Sequence, residues 1–123
     1  MSTERDEDRA LLIAAAKAEG HGVEFDELSG LSFFDNKFTG LLWDPLRNDG
    51  DALRLAVKLQ LQITPGTYNK DEFTAFHAGH GEAHEYWSTM QDECAATRRA
   101  ITRAAAEIWN RSTATTSSGE REG

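Results

Sequence analysis

The sequence predicts an α+β domain: a small antiparallel sheet of three to five strands with three helices, in the order α-β-β-α-β-α. Three observations lead there. Apolar residues recur at spacings of three and four in stretches near 4–19, 49–61 and 92–111, the period of helices with one buried side. Between the first two stretches the period drops to two. Firm breaks stand at Gly20, at Asp44-Pro45 and at Thr64-Pro65-Gly66. The 123 residues suit one domain, expected over 1–111, with 112–123 a disordered polar tail rich in Ser, Thr and Gly.

The first helix is expected over about 4–19. Glu4, Asp6, Glu7 and Asp8 suit the positive end of its dipole. Leu12, Ala15 and Ala16 follow one face, with Leu11, Ala14 and Ala18 beside it, and Gly20 is placed to end it in a left-handed conformation. Val23 and Phe25 then alternate with acids, as in a half-buried strand. Leu31 to Phe34 and Phe38 to Trp43 flank the polar turn Asp35-Asn36-Lys37, which predicts a hairpin. Gly40 suits a bulge or a close approach of another backbone. Phe25, Phe33, Phe34, Phe38 and Trp43 form either a sheet face packed on helices or the wall of a ligand pocket.

The stretch Trp43 to Ile63 is expected to organise the rest. Asn48 or Asp49 can cap a helix over 49–61. Leu53, Val57 and Leu61 lie four apart, and Leu55 and Leu59 form a second line. A helix apolar over so much of its girth is expected to be central and touched from several sides. It hands over to extended chain near Gln60. Short strands are expected within 67–78, and 82–90 fits either a short helix or an irregular segment. The last helix, about 92–111, places Cys94, Ile101, Ala104, Ala105 and Ile108 on one stripe, with Arg98, Arg99, Arg103 and Arg111 mainly off it.

Charge and composition narrow the function. The net charge is −8, from 21 acids against 13 Lys and Arg. Such a surface opposes nonspecific binding to nucleic acid, which requires clustered cations. Residues 1–51 hold twelve acids and five bases and residues 91–111 three acids and four bases, an asymmetry that suits intramolecular attraction or head-to-tail self-association. No window approaches the length of a membrane span. The single cysteine permits no internal disulfide, and the acidic N-terminus differs from a signal peptide, so a cytoplasmic location is expected.

Two strings carry a resemblance. Trp43-Asp44-Pro45-Leu46 with Asp49-Gly50-Asp51-Ala52-Leu53-Arg54-Leu55-Ala56-Val57-Lys58-Leu59 resembles a segment of small phage- and prophage-encoded proteins of unknown function. Ala96-Thr97-Arg98-Arg99-Ala100-Ile101-Thr102-Arg103-Ala104-Ala105-Ala106-Glu107-Ile108 resembles their C-terminal helix. The resemblance implies an accessory gene of a mobile element acting in the bacterial cytoplasm, and brings no catalytic residues.

Catalytic motifs are sparse. The sequence has no phosphate-cradling glycine loop and no nucleophile elbow. Cys94, on the apolar stripe, is expected to be a structural thiol. His77, His80 and His84 have a spacing that would put three imidazoles on one helical face, where they could hold zinc. Gly79 and Gly81 favour a polar loop instead. Asp49 and Asp51 lack the later ligands of a calcium loop, which leaves capping. No cofactor is expected. The sequence therefore favours a non-catalytic protein that binds another protein, with Glu24, Asp26, Glu27, Asp35, Asp49 and Asp51 as candidate contacts. One form of it is an inhibitor of a host factor or defence system. The alternative is a metal-binding module or metal-dependent enzyme built on the three histidines.

Overall fold

The computed structural model describes residues 3–65, 72–76, 82–86 and 93–122, with side chains over 5–63 and 94–113. Helix α1 spans Thr3–Glu19, β1 Val23–Phe25, β2 Ser32–Phe34, α2 Asp49–Leu59, β3 Gln62–Pro65, β4 Glu72–Phe76, β5 Glu82–Tyr86 and α3 Glu93–Glu122. The class is α+β. The expectation of one small sheet is corrected, because the strands fall into two: β1 pairs with β2, and β3, β4 and β5 form a second antiparallel sheet in that order.

Helix α1 ends as its sequence dictates. Gly20 takes φ +105°, and its N–H and that of His21 both return to the carbonyl of Ala16. The chain then packs the His21 ring 4.0 Å from Phe34, stacked, and 4.7 Å from Trp43, edge-on. The His21 ring sits 2.7 Å from the Gly22 carbonyl through Nδ1 and 3.0 Å from Glu19 Oε1 through Nε2. That residue, read in sequence only as part of a turn, pins the end of α1 to the β-hairpin.

At α2, Asn48 is the N-cap: its side chain accepts the Asp51 N–H at 2.8 Å. Asp51 is buried and returns the favour to the preceding turn, accepting from the Asp44 N–H at 2.9 Å and from Arg54 at 2.6 Å. Gln60 closes the helix at φ +57°, so the chain leaves α2 where the change of period said it would.

Two expectations about the helices are corrected. Leu53 and Val57, expected in the core, are 60% and 68% exposed, whereas Leu55, two residues from each, is fully buried beside Ala52 and Ala56. A wide apolar girth on α2 therefore does not mean contact all round. The hub is α3, which packs on α1, α2, β4 and β5. Its seam with α1 is made of small residues: Ala15 and Ala16 on one side, Ala100, Ala104 and Ala105 on the other, all buried in one cluster with Leu12, Trp43, Leu46, Leu55 and Ile101. Helix spacing is set by the side chains at the contact, and alanine allows a close approach. Arg99 crosses this seam to Asp8 at 2.8 Å, and Arg98 reaches Asp49 at 2.7 Å and the Leu46 carbonyl at 2.9 Å. Helix α3 also continues to Glu122 through residues read as a tail; between Glu93 and Ser118 it meets neither proline nor glycine to stop it.

Candidate interaction surface

Residues 22–44 fold as a small β-meander. β1 and β2 pair in register Val23↔Phe34, Glu24↔Phe33, Phe25↔Ser32. The chain then turns through a 3-10 segment, Lys37–Thr39, capped by the Asn36 side chain, with Gly40 at φ +67° as its left-handed end rather than a bulge. It returns antiparallel to β2: Phe33 bridges Leu42, Phe34 donates to the Leu41 carbonyl at 2.8 Å, and Trp43 donates to the Ser32 carbonyl at 3.0 Å.

Register and burial together assign the two faces. Val23, Phe25 and Phe34 pack against the core, and Ser32 and Trp43 are buried. These residues form the inner face. Side chains alternate along a strand, so Glu24, Phe33 and Leu42 form a row across the outer face, with Asp26 and Leu31 beside it. A sheet with one face on a core commonly turns a polar face to water. This one turns out Leu42, 56% exposed, with Leu31 nearly as open and Phe33 half-buried. At the two ends of the strands stand Leu28, 98% exposed, and Phe38, 99% exposed. Phe38, expected in the packed sheet face, is thus wholly in water.

The same 22–44 stretch carries Glu24, Asp26, Glu27, Asp35 and Asp44 against one base, Lys37. Each carboxylate is also fixed in place. Glu24 accepts the Lys37 backbone N–H at 2.7 Å, and Asp35, at φ +65°, accepts the Gly22 N–H at 2.9 Å. Asp26 caps the β1–β2 turn by accepting the Ser29 N–H at 2.8 Å, and lies 3.6 Å from the Lys37 ammonium. Hydrogen bonding from Ser29 holds its carboxyl below the usual range, with Lys37 adding to the effect. Glu27 accepts both guanidinium arms of Arg9, at 3.1 and 3.3 Å, and that pairing lowers its carboxyl likewise. Arg9 in turn lies 4.9 Å over the Phe25 ring. Hydrogen bonds and ion pairs thus hold these acids in fixed positions along the meander.

Of the six acids singled out in sequence, the structure gathers four here. Asp49 and Asp51 lie instead at the start of α2, bound to Arg98 and to Asp44 and Arg54. His77 and His80 lie outside the described residues; His84 lies on β5, paired with Thr74, its side chain outside them. Among the described residues no group of His, Cys, Asp and Glu could hold a metal ion. Cys94, expected to be buried, is exposed in the first turn of α3. It lines a shallow apolar groove of about 500 Å³ with Ala52, Leu53, Ile63 and Ile101. Sequence reasoning missed Leu28, Leu31, Leu41 and Leu42 as surface residues. A signal was present: Leu31-Ser32-Phe33-Phe34 puts a large apolar residue on both faces of one strand.

No known protein family, curated protein or solved structure matches this chain. Among the described residues no helix is long and apolar enough to cross a membrane.

Proposed function

We propose that this chain is a non-catalytic, acidic accessory protein that binds another protein through the outer face of its β-meander. One observation carries the reading: Leu28, Leu31, Phe33, Phe38 and Leu42 meet water on or beside a sheet whose other face joins the core through Val23, Phe25, Phe34 and Trp43. Apolar surface gathered in one place and rimmed by charge marks contact sites. The resemblance of the Trp43–Leu59 and Ala96–Ile108 strings to phage and prophage proteins supplies the setting, a bacterial cytoplasm. There, inhibition of a host factor or defence system is one form such binding takes.

The test compares the natural protein with a Leu28→Ser, Phe38→Ser, Leu42→Glu variant, both used as bait in bacterial lysate at moderate salt. A partner captured by the first and lost by the second is the expected result. Equal capture by both would move the binding elsewhere, and capture by neither would remove the support for a protein partner.

A further inference from the structure

The meander also indicates what kind of partner segment fits it. Resting on the reading that this face binds protein, we propose that its occupant is a basic amphipathic helix: an aliphatic stripe over Leu31, Phe33 and Leu42, with Lys or Arg on its flanks.

At the 41–43 edge, where the exposed leucines lie, shape favours a helix over a strand. Leu42 is the one residue of the 41–43 edge whose N–H and C=O have no partner among the described residues. The Leu41 N–H already goes to the Thr39 hydroxyl at 3.1 Å, the Asp44 N–H to Asp51, and Pro45 follows with no N–H at all. A single free pair is too short a template for an added strand. The apolar part of the face, Leu31 and Phe33 on β2 and Leu42 on the returning chain, spans two strands roughly 5 Å apart. Its ends are marked by Leu28 in the β1–β2 turn and Phe38 in the 3-10 segment. One side of a helix, about 10 Å across with its side chains, covers that footprint.

Charge decides the sign. Lys37, Arg9 and Arg47 pair with Asp26, Glu27 and Asp44, which leaves the carboxylates of Glu24 and Asp35 without a cationic partner among the described residues and the meander acidic in balance. A second copy docking face to face would set these carboxylates against themselves, because a two-fold contact places the same patch on both sides. Anionic lipid and nucleic acid meet the same repulsion. Cations on a partner meet attraction, which steers association and weakens in salt.

The probes are two synthetic helical peptides of equal length and equal leucine stripe, one with lysine on its polar face and one with glutamate. Binding is followed by fluorescence anisotropy of the labelled peptide. The lysine peptide is expected to bind at low salt and to lose at least about tenfold in affinity in ~0.5 M salt. It should lose at least about tenfold for Leu42→Glu, and likewise for the Leu28→Ser, Phe38→Ser pair, whose side chains are too exposed to matter for folding. The glutamate peptide should not bind. Equal binding of both peptides, reduced by the variants, overturns the charge assignment and leaves the apolar face standing as a contact surface. Binding of the lysine peptide that no variant alters overturns the site. No binding of either peptide overturns the helix as occupant, while the bait experiment above judges the wider reading separately. A dimer in sedimentation that Leu42→Glu dissolves makes the occupant a second copy, and overturns the proposal too.

Discussion

The two faces of the meander use the same kinds of residue and put them to different ends. Inside, Val23, Phe25, Phe34 and Trp43 meet α1 and the helical core. Outside, Leu31, Phe33 and Leu42 meet water, with Leu28 and Phe38 standing clear at the turns. Helix α2 repeats the contrast on a smaller scale, with Leu55 buried and Leu53 and Val57 exposed. Hydrophobicity makes a residue able to join a core; only the neighbour supplied by the fold makes it do so. Where the fold supplies none, the apolar residue is free for a contact that the isolated chain does not make.

The contrast can be broken most forcefully from the inside. Trp43→Ala removes a buried ring that packs His21 and joins the central cluster, and should cost about 3–5 kcal/mol in urea denaturation. A cost under ~1 kcal/mol would mean the inner face is not core. Leu55→Ala should cost about 2–5 kcal/mol, while Leu53→Ala on the same helix should stay within ~0.5 kcal/mol. Similar costs for the two would erase the division of α2. Asn48→Ala removes the N-cap and should cost ~1 kcal/mol. The smallest stability change is expected outside: the Leu28→Ser, Phe38→Ser pair should leave the denaturation midpoint unchanged and reduce the binding of a hydrophobic dye.

Acid sharpens the comparison from another side. Asp26 and Glu27 have folded carboxyls held below their unfolded values by Ser29 and Arg9. Their contribution is present above the unfolded values and is lost as pH falls through the lower folded ones, below about pH 4. The β1–β2 turn should therefore loosen first in acid. Amide exchange at Ser29 should speed up there before exchange in the α1–α3 seam does. Removing both effects with Asp26→Asn and Glu27→Gln should flatten that dependence.

Much of the architecture was legible. The α1 stop at Gly20, the Asn48 cap and the change of conformation at Gln60 were all visible, because capping and left-handed backbone are local chemistry. The organising helix was not. Apolar weight favoured α2, rich in leucine, over α3, whose seam is mostly alanine. Alanine scores low as a hydrophobe yet allows the closest packing. Cys94 followed the same error, since a residue on the right stripe is buried only where another element covers that turn. Of the candidate site, the acids Glu24, Asp26, Glu27 and Asp35 were legible from charge. The apolar residues among them were not separable from core, because a strand with large side chains in both phases gives no sign of which phase faces inward.

The Asp8–Arg99 bridge joins residues 91 apart, and the alanine seam around it unites the first helix with the last. Before α3 is made, α1 can meet only the meander and α2, and most of its buried face waits for the later helix. Closing so distant a contact carries a loop-entropy cost that local pairing does not. The β-ribbon, greasy on both sides, can therefore lean early on α1, but the core it joins is complete only when α3 arrives.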